Sequence, residues 1–249
     1  MAVSPVGYSL ALRGTCVPRP IDWLFIPEPL VDSFKLKGLR QRMVDLLETR
    51  GITDAGVLAA MREVPRHKFV ESALAEEAYA DKPLPIHSGQ TISQPFTVAF
   101  QSQLLQAKAR MKVLEVGTGS GYQAAVLCAM GLRVFSVEYD GRLHREARER
   151  LLALGYEARL HHGDGSGGWR LYQPYERILV TAASPEVPLA LRQQLTVGGI
   201  MVIPVGNQAR QQMTVVRRLS QREYEVETLQ AFRFVPLRGR YGFSLDEPA

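Results

Sequence analysis

Apolar residues first fall into a regular spacing at Leu36. Leu36, Leu39, Met43, Leu46 and Leu47 line one face of a helix that Gly51 ends. Thr53 is placed to cap a second helix carrying Val57, Leu58 and Met61, with Pro65 beyond its end. A third helical piece is expected near residues 71–77. Residues 79–95 then hold Pro83, Pro85 and Pro95, which exclude a regular helix before position 95. So long a loop inside a compact domain is usually functional. Pro95 suits the first turn of the next helix, with Ser93 or Gln94 as cap and Phe96, Ala99, Phe100 and Leu104 facing inward.

From Val113 the pattern alternates between short apolar runs and amphipathic helices. Val113–Val116 reads as a buried strand of a parallel sheet, and Tyr122–Leu127 as the helix after it. A strand over 133–138 follows, then a helix over 140–154 with Leu143, Ala147, Leu151 and Leu154 on one face. Residues 157–161 and 177–181 are further strands, 188–195 a helix, and 198–205 a strand entered from a Gly-Gly turn. Two alternating runs, 212–219 and 224–232, read as an antiparallel pair. The fold class expected is α/β: a Rossmann-like three-layer αβα sandwich whose mostly parallel sheet is closed by that C-terminal pair, preceded by a small helical cap.

Residues 1–35, with Pro5, Pro18, Pro20, Pro27 and Pro29, keep no period and are read as an extension that packs on the domain or serves as a contact surface. The expected domain covers 36–249, with cap and loop over 36–110 and the Rossmann-like core over 111–249. A chain of 249 residues with 46% hydrophobic and 22% charged residues has material for one sizeable core. Its two cysteines, Cys16 and Cys128, give no disulfide framework or metal cluster, and Cys128 reads as a buried, reduced thiol suited to the cytoplasm. The net charge of +5 is scattered among acids, so nucleic acid is not an expected partner. No apolar stretch reaches the ~20 residues of a membrane span, and the N-terminus lacks a signal-peptide pattern. A cytoplasmic monomer is expected.

The chemistry centres on Glu115-Val116-Gly117-Thr118-Gly119-Ser120-Gly121. A dinucleotide fingerprint has its third glycine three positions after the second. Here Tyr122 stands there. Glu115 would also repel a pyrophosphate but suits a cationic amino group. Glu138 ends the next strand 21 residues after Gly117, where a carboxylate can accept both hydroxyls of a ribose. Asp164-Gly165, after the third strand, is placed to receive an adenine amino group. E-x-G-x-G-x-G at a strand end resembles the S-adenosyl-L-methionine loop of Rossmann-like methyltransferases.

Further stretches match one family in collinear order over roughly residues 36–243. They are Val64-Pro65-Arg66-His67-Lys68-Phe69-Val70, the loop from Leu84 through Gln90-Thr91-Ile92-Ser93-Gln94-Pro95, Gly163-Asp164-Gly165, Ile178-Leu179-Val180-Thr181-Ala182-Ala183, Pro204-Val205-Gly206 and Phe234-Val235-Pro236-Leu237. Together with the glycine loop they resemble protein-L-isoaspartate O-methyltransferases. The resemblance implies methyl transfer from S-adenosyl-L-methionine to the α-carboxylate of L-isoaspartyl residues, and less well D-aspartyl residues, in damaged proteins and peptides. It implies Ser93 as the catalytic residue, contacting the substrate together with Leu237 and Arg238. It also implies Gln90, Thr91, Ile92, Glu115, Gly117, Thr118, Gly119, Gly121, Glu138, Asp164 and Gly165 around the donor.

The chemistry agrees with so spare a set. An α-carboxyl has a pKa of about 3.5, so the nucleophile is already ionised at neutral pH and needs no general base. Charge is cancelled in the transition state, so alignment and exclusion of water matter more than strong fixed charges.

Two departures stand out: Glu176 where the family usually has Asp, read as structural, and His87 where glycine is more usual, read as facing solvent. His161-His162 resemble a metal pair but have no further ligand at suitable spacing, so strand-end histidines are the preferred reading. A related methyltransferase acting on a small molecule or RNA, a non-catalytic S-adenosylmethionine-binding scaffold, and a dehydrogenase remain as rival readings.

Overall fold

The computed structural model describes residues 32–243. The extension expected over 1–35 therefore lies almost wholly outside the described residues, as does Cys16.

The cap begins with α1 (Phe34–Thr49), two residues earlier than its apolar pattern suggested, because Ser33 accepts a hydrogen bond from the Leu36 N–H. Leu36, Met43 and Leu47 are buried as expected, but Leu46 is 44% exposed. Arg40 takes an inward position instead, held by Asp32 and the Tyr79 hydroxyl. Asp54, not Thr53, caps α2 (Ala55–Glu63), accepting from the Gly56 and Val57 amides. The Thr53 amide donates to Gln103 Oε1 at 2.7 Å. The expected third helix is two short 3-10 turns, Ser72–Leu74 and Glu77–Tyr79. There the buried Arg66 Nε donates to the Ala78 carbonyl that a continuing helix would use.

The proline-rich loop forms a small hairpin, β1 (Leu84–Pro85) with β2 (Thr91–Ile92), and leads into α3 (Pro95–Leu104). Gln94 is its cap residue, yet its own side chain makes no capping bond, and a residue from earlier in the loop supplies one. Asp81 Oδ1 accepts the Phe96 N–H at 2.8 Å.

The core alternates as its pattern indicates: β3 (Lys112–Val116), α4 (Tyr122–Ala129), β4 (Arg133–Glu138), α5 (Gly141–Ala153), β5 (Ala158–His162), β6 (Tyr175–Val180), α6 (Leu189–Gln193), β7 (Leu195–Gly206), β8 (Gln211–Arg218) and β9 (Tyr224–Phe232). The sheet order is β5-β4-β3-β6-β7-β8-β9, parallel through β7 and antiparallel at the two C-terminal strands. β7 runs through Gly198-Gly199 rather than starting there, with a register shift against β6 between Tyr175 and Arg177. Residues alternate between the sheet faces. Val113, Leu179, Ile200 and Val202 pack under the cap helices, whereas Leu114, Val116, Ile178, Val180 and Met201 pack on the far side. Successive connections from β3 run to β4 on one side and later to β6 on the other. The crevice of such a sheet opens where the order reverses, beyond the carboxyl ends of these strands.

Candidate functional site

A cleft of about 930 Å³, counted with the open space at its mouth, lies at that reversal. Gly117, Thr118 and Gly119 line it from the end of β3, Glu138 from the end of β4, Thr181 and Ala182 from the end of β6, and Gly165 from beyond β5. Gln90, Thr91, Ile92 and Ser93 approach from the hairpin, and Val235, Pro236, Leu237 and Arg238 from the C-terminal segment. Residues separated by more than a hundred positions thus meet around one space. No hydrogen bond occupies the Ser93 hydroxyl among the described residues, and helix capping does not use it.

Three expected site residues stay out of the lining. Gly121 lies behind the loop at the start of α4 with φ +89°, and a Cβ there would stand 3.3 Å from Leu151. Its requirement is left-handed backbone and close packing of α4 on α5. Asp164 turns towards the C-terminal segment: Oδ1 accepts from Ser166 N and Oγ, and Oδ2 from the Arg240 N–H.

Glu115 is fully buried. Alternation along β3 puts it on the same face as Val113, beneath the helices, so it does not reach the cleft itself. Burial pushes its carboxyl up to about 8, against the lowering effect of the Ser136 hydrogen bond. Ser136 Oγ donates to Glu115 Oε2 at 2.5 Å and lies 2.6 Å from Thr118 Oγ1. Either hydroxyl of that serine–threonine pair can be the donor. Glu115 is thus linked to the cleft lining through Ser136 and Thr118.

Glu138 is fixed from both sides. Its Oε2 accepts the Gly119 N–H at 2.8 Å and its Oε1 the Asp140 N–H at 2.9 Å. One carboxylate thus ties the glycine loop to the end of β4. A side chain on Gly117 would collide with Thr181 Oγ1, which donates to the Gly117 carbonyl at 2.6 Å. An acid at the strand end beside the apolar surfaces of Val137 and Leu143 fits a nucleoside, polar at its ribose and flat at its base.

Tyr139, Asp140, Leu143, Gln101 and Thr181 also line the cleft, though none is among the site residues expected from sequence. Tyr139-Asp140 directly follow Glu138, and Asp140 caps α5, so the cap pattern there was a usable signal. Hydrogen bonds from the backbone, the Leu143 N–H first, hold the Asp140 carboxyl below its ordinary range. Gln101 is a polar residue on an inward helix face, and its Nε2 donates to the Val180 carbonyl at 3.0 Å.

His87 does not simply face solvent. Its Nδ1 is 2.8 Å from Glu146 Oε2, tying the hairpin tip to α5. His161 and His162, adjacent on β5, point to opposite faces. The first stacks on Trp169 with centroids 5.0 Å apart, and the second lies against His144. They do not converge on one ion. Glu176 Oε2 accepts the Lys112 N–H, away from the cleft. Cys128 is half-buried, and its thiol is pushed up to about 12 chiefly by burial.

The model of the protein-L-isoaspartate(D-aspartate) O-methyltransferase family matches residues 39–242. A protein-L-isoaspartate O-methyltransferase of Cytophaga hutchinsonii is 49% identical over 213 residues, 86% of this chain and 96% of the relative. One of Salinibacter ruber is 50% identical over 216 residues, 83% of this chain and 94% of the relative. Among solved structures, a protein-L-isoaspartate O-methyltransferase superposes with a TM-score of 0.75 at 28% identity, covering 82% of this chain and 67% of that one. A Plasmodium falciparum protein of that description, solved with S-adenosyl-L-homocysteine, superposes with a TM-score of 0.70 at 23% identity, covering 80% and 98%. At that identity the likeness speaks for the fold.

Proposed function

The chain belongs to the protein-L-isoaspartate(D-aspartate) O-methyltransferase family, and on that premise we propose how its cleft divides the work. The enzyme transfers a methyl group from S-adenosyl-L-methionine to the α-carboxylate of L-isoaspartyl residues, and less well of D-aspartyl residues, in damaged proteins. The ester formed then loses methanol as the neighbouring backbone nitrogen closes a succinimide, whose hydrolysis returns some normal aspartate.

The observation that carries the assignment of roles is the Ser93 hydroxyl, which lines the same cleft as the glycine loop and has no partner among the described residues. It orients one oxygen of the acceptor carboxylate without neutralising it. A tight ion pair there would stabilise the ground state more than the charge-cancelling transition state. The donor supplies a methyl group on a sulfonium, an electrophile that requires no acid or base from the protein. Glu138 grips the ribose, and Gly117, Thr118 and Gly119 carry the backbone along the donor. Gln90, Thr91 and Ile92 cover it from the hairpin, excluding water. Leu237 and Arg238 border the acceptor side. Glu115 serves by holding Ser136 and Thr118 in place, not by direct contact.

No helix of the described residues is long and apolar enough to cross a membrane. Action on water-borne proteins and peptides as a monomer in the cytoplasm is part of this proposal. Transfer of labelled methyl to an isoaspartyl peptide, with the aspartyl peptide of the same sequence as control, tests the function. Labelling of the isoaspartyl peptide alone is expected. Equal labelling of both, or of neither, would remove the repair assignment and return the small-molecule and RNA methyltransferases as readings.

A further inference from the structure

The C-terminal segment is held over the cleft at two places. At the first, Ala183 N donates to the Val235 carbonyl at 2.8 Å and Leu237 N donates to the Ala183 carbonyl at 2.7 Å, an isolated parallel bridge between Ala183 and Pro236 just past the end of β6. At the second, the chain turns back beside residues 164–166. The Arg240 N–H donates to Asp164 Oδ2 at 2.8 Å, and the Tyr241 N–H donates to Ser166 Oγ at 3.0 Å. That hydroxyl donates in turn to Asp164 Oδ1 at 2.6 Å. Leu237 ends the first anchor, and Arg238 lies between it and the second.

The second anchor is built for close approach. Gly239 has φ +123°, and a Cβ there would run into the Asp164 carboxylate. Ser166 is fully buried and does not line the cleft, whereas its neighbour Gly165 does. Asp164 Oδ1 has both acceptor positions filled by Ser166, and one of two on Oδ2 is filled by Arg240. The bonds run to backbone amides, so they fix where the turn lies and not which side chains it carries.

We propose that Asp164 and Ser166 form a latch, a pair of positioning residues that hold the 239–241 turn and thereby fix Leu237 and Arg238 at the acceptor side. The inference rests on the reading of the cleft as a methyltransferase site. It gives residues 164–166 a second duty beside the donor: they set the substrate-facing wall through the C-terminal segment.

Ser166→Ala removes the relay, and Gly239→Ala pushes the turn away from the opposite side. Neither residue lines the cleft. In each folded variant, native-state trypsin cleavage after Arg238 and Arg240, read by fragment mass, is expected to accelerate about fivefold, as for one net hydrogen bond lost. The KM for the isoaspartyl peptide is expected to rise by a similar factor of about five, while the KM for S-adenosyl-L-methionine stays within about twofold. Unchanged cleavage and peptide KM in both variants would overturn the latch. A parallel rise in the KM for the methyl donor would overturn it too, placing the pair in the donor pocket instead. Should the unaltered enzyme leave isoaspartyl peptide unlabelled, the functional reading fails, yet cleavage after Arg238 and Arg240 still decides whether the latch exists.

Discussion

Replacing Glu115 by Gln isolates one buried carboxyl and turns its environment into a measurable pH dependence. The side chain has no exposed surface, and burial raises its pKa from 4.5 to about 8. Oε2 is bonded to Ser136, while Oε1 has no partner among the described residues. Between the two pKa values the folded state keeps a proton that the unfolded chain has released. Stability from this group is therefore complete below 4.5 and falls as pH rises towards 8. The slope approaches about 1.4 kcal/mol per pH unit, so the whole window is worth a few kcal/mol.

The amide introduced by Glu115→Gln would accept the same Ser136 bond and cannot ionise, so the variant's stability lacks this term. Urea unfolding of both proteins at pH 5, 7 and 8.5 gives the difference, in which the remaining titratable groups largely cancel. The two should lie within about 1 kcal/mol of each other at pH 5, and the variant should gain by roughly 2–4 kcal/mol by pH 8.5. A gap constant to within about 0.5 kcal/mol across that range would refute the burial argument. Because Ser136 and Thr118 stay linked in this variant, affinity for the methyl donor at pH 7 should remain within about threefold of the original. A loss of a hundredfold would mean that Glu115 touches the donor after all.

Ser93→Ala is expected to lower turnover at least about tenfold while leaving donor affinity nearly unchanged, since the hydroxyl is assigned to the acceptor alone. Steady-state kinetics with isothermal titration of the donor checks both halves, and full activity would remove Ser93 from the mechanism. Gly121→Ala forces a side chain into left-handed backbone and against Leu151. A cost of about 2 kcal/mol follows, or a melting-temperature drop of about 4–8 °C in a chain of this size. A melt within about 1 °C of the unaltered protein would show that Leu151 and the loop yield freely.

Much of the site was legible because it lies at predictable places. The glycine run after an apolar strand, the acid at the next strand's end and the ordered proline loop each follow from local geometry, and the structure brings Gly117, Glu138 and Ser93 to one cleft. The misreadings have local physical causes as well. Thr53 and Asp54 are both competent caps, and a distant glutamine settled between them by engaging the Thr53 amide. Leu46 matched the helical stripe, but Arg40 found Asp32 and Tyr79 and occupied the inner face with them. Glu115 belonged to the right motif with the wrong reach. Its place on the same strand face as Val113 was already visible, and only the helices packed on that face turned it into a buried acid.

The order of strands and helices, the glycine loop and the residues marking the family were determined by the sequence alone, because period, turn chemistry and motif spacing act over a few neighbouring positions. Tertiary structure alone decided which polar groups are held by others and which are left facing the cleft. Asp164 meets the backbone of Arg240 across 76 positions, and His87 meets Glu146 across 59. No local pattern specifies such pairs, since they form only after the sheet has set the distance between its ends. The same long-range packing leaves the Ser93 hydroxyl in the cleft lining without a partner among the described residues.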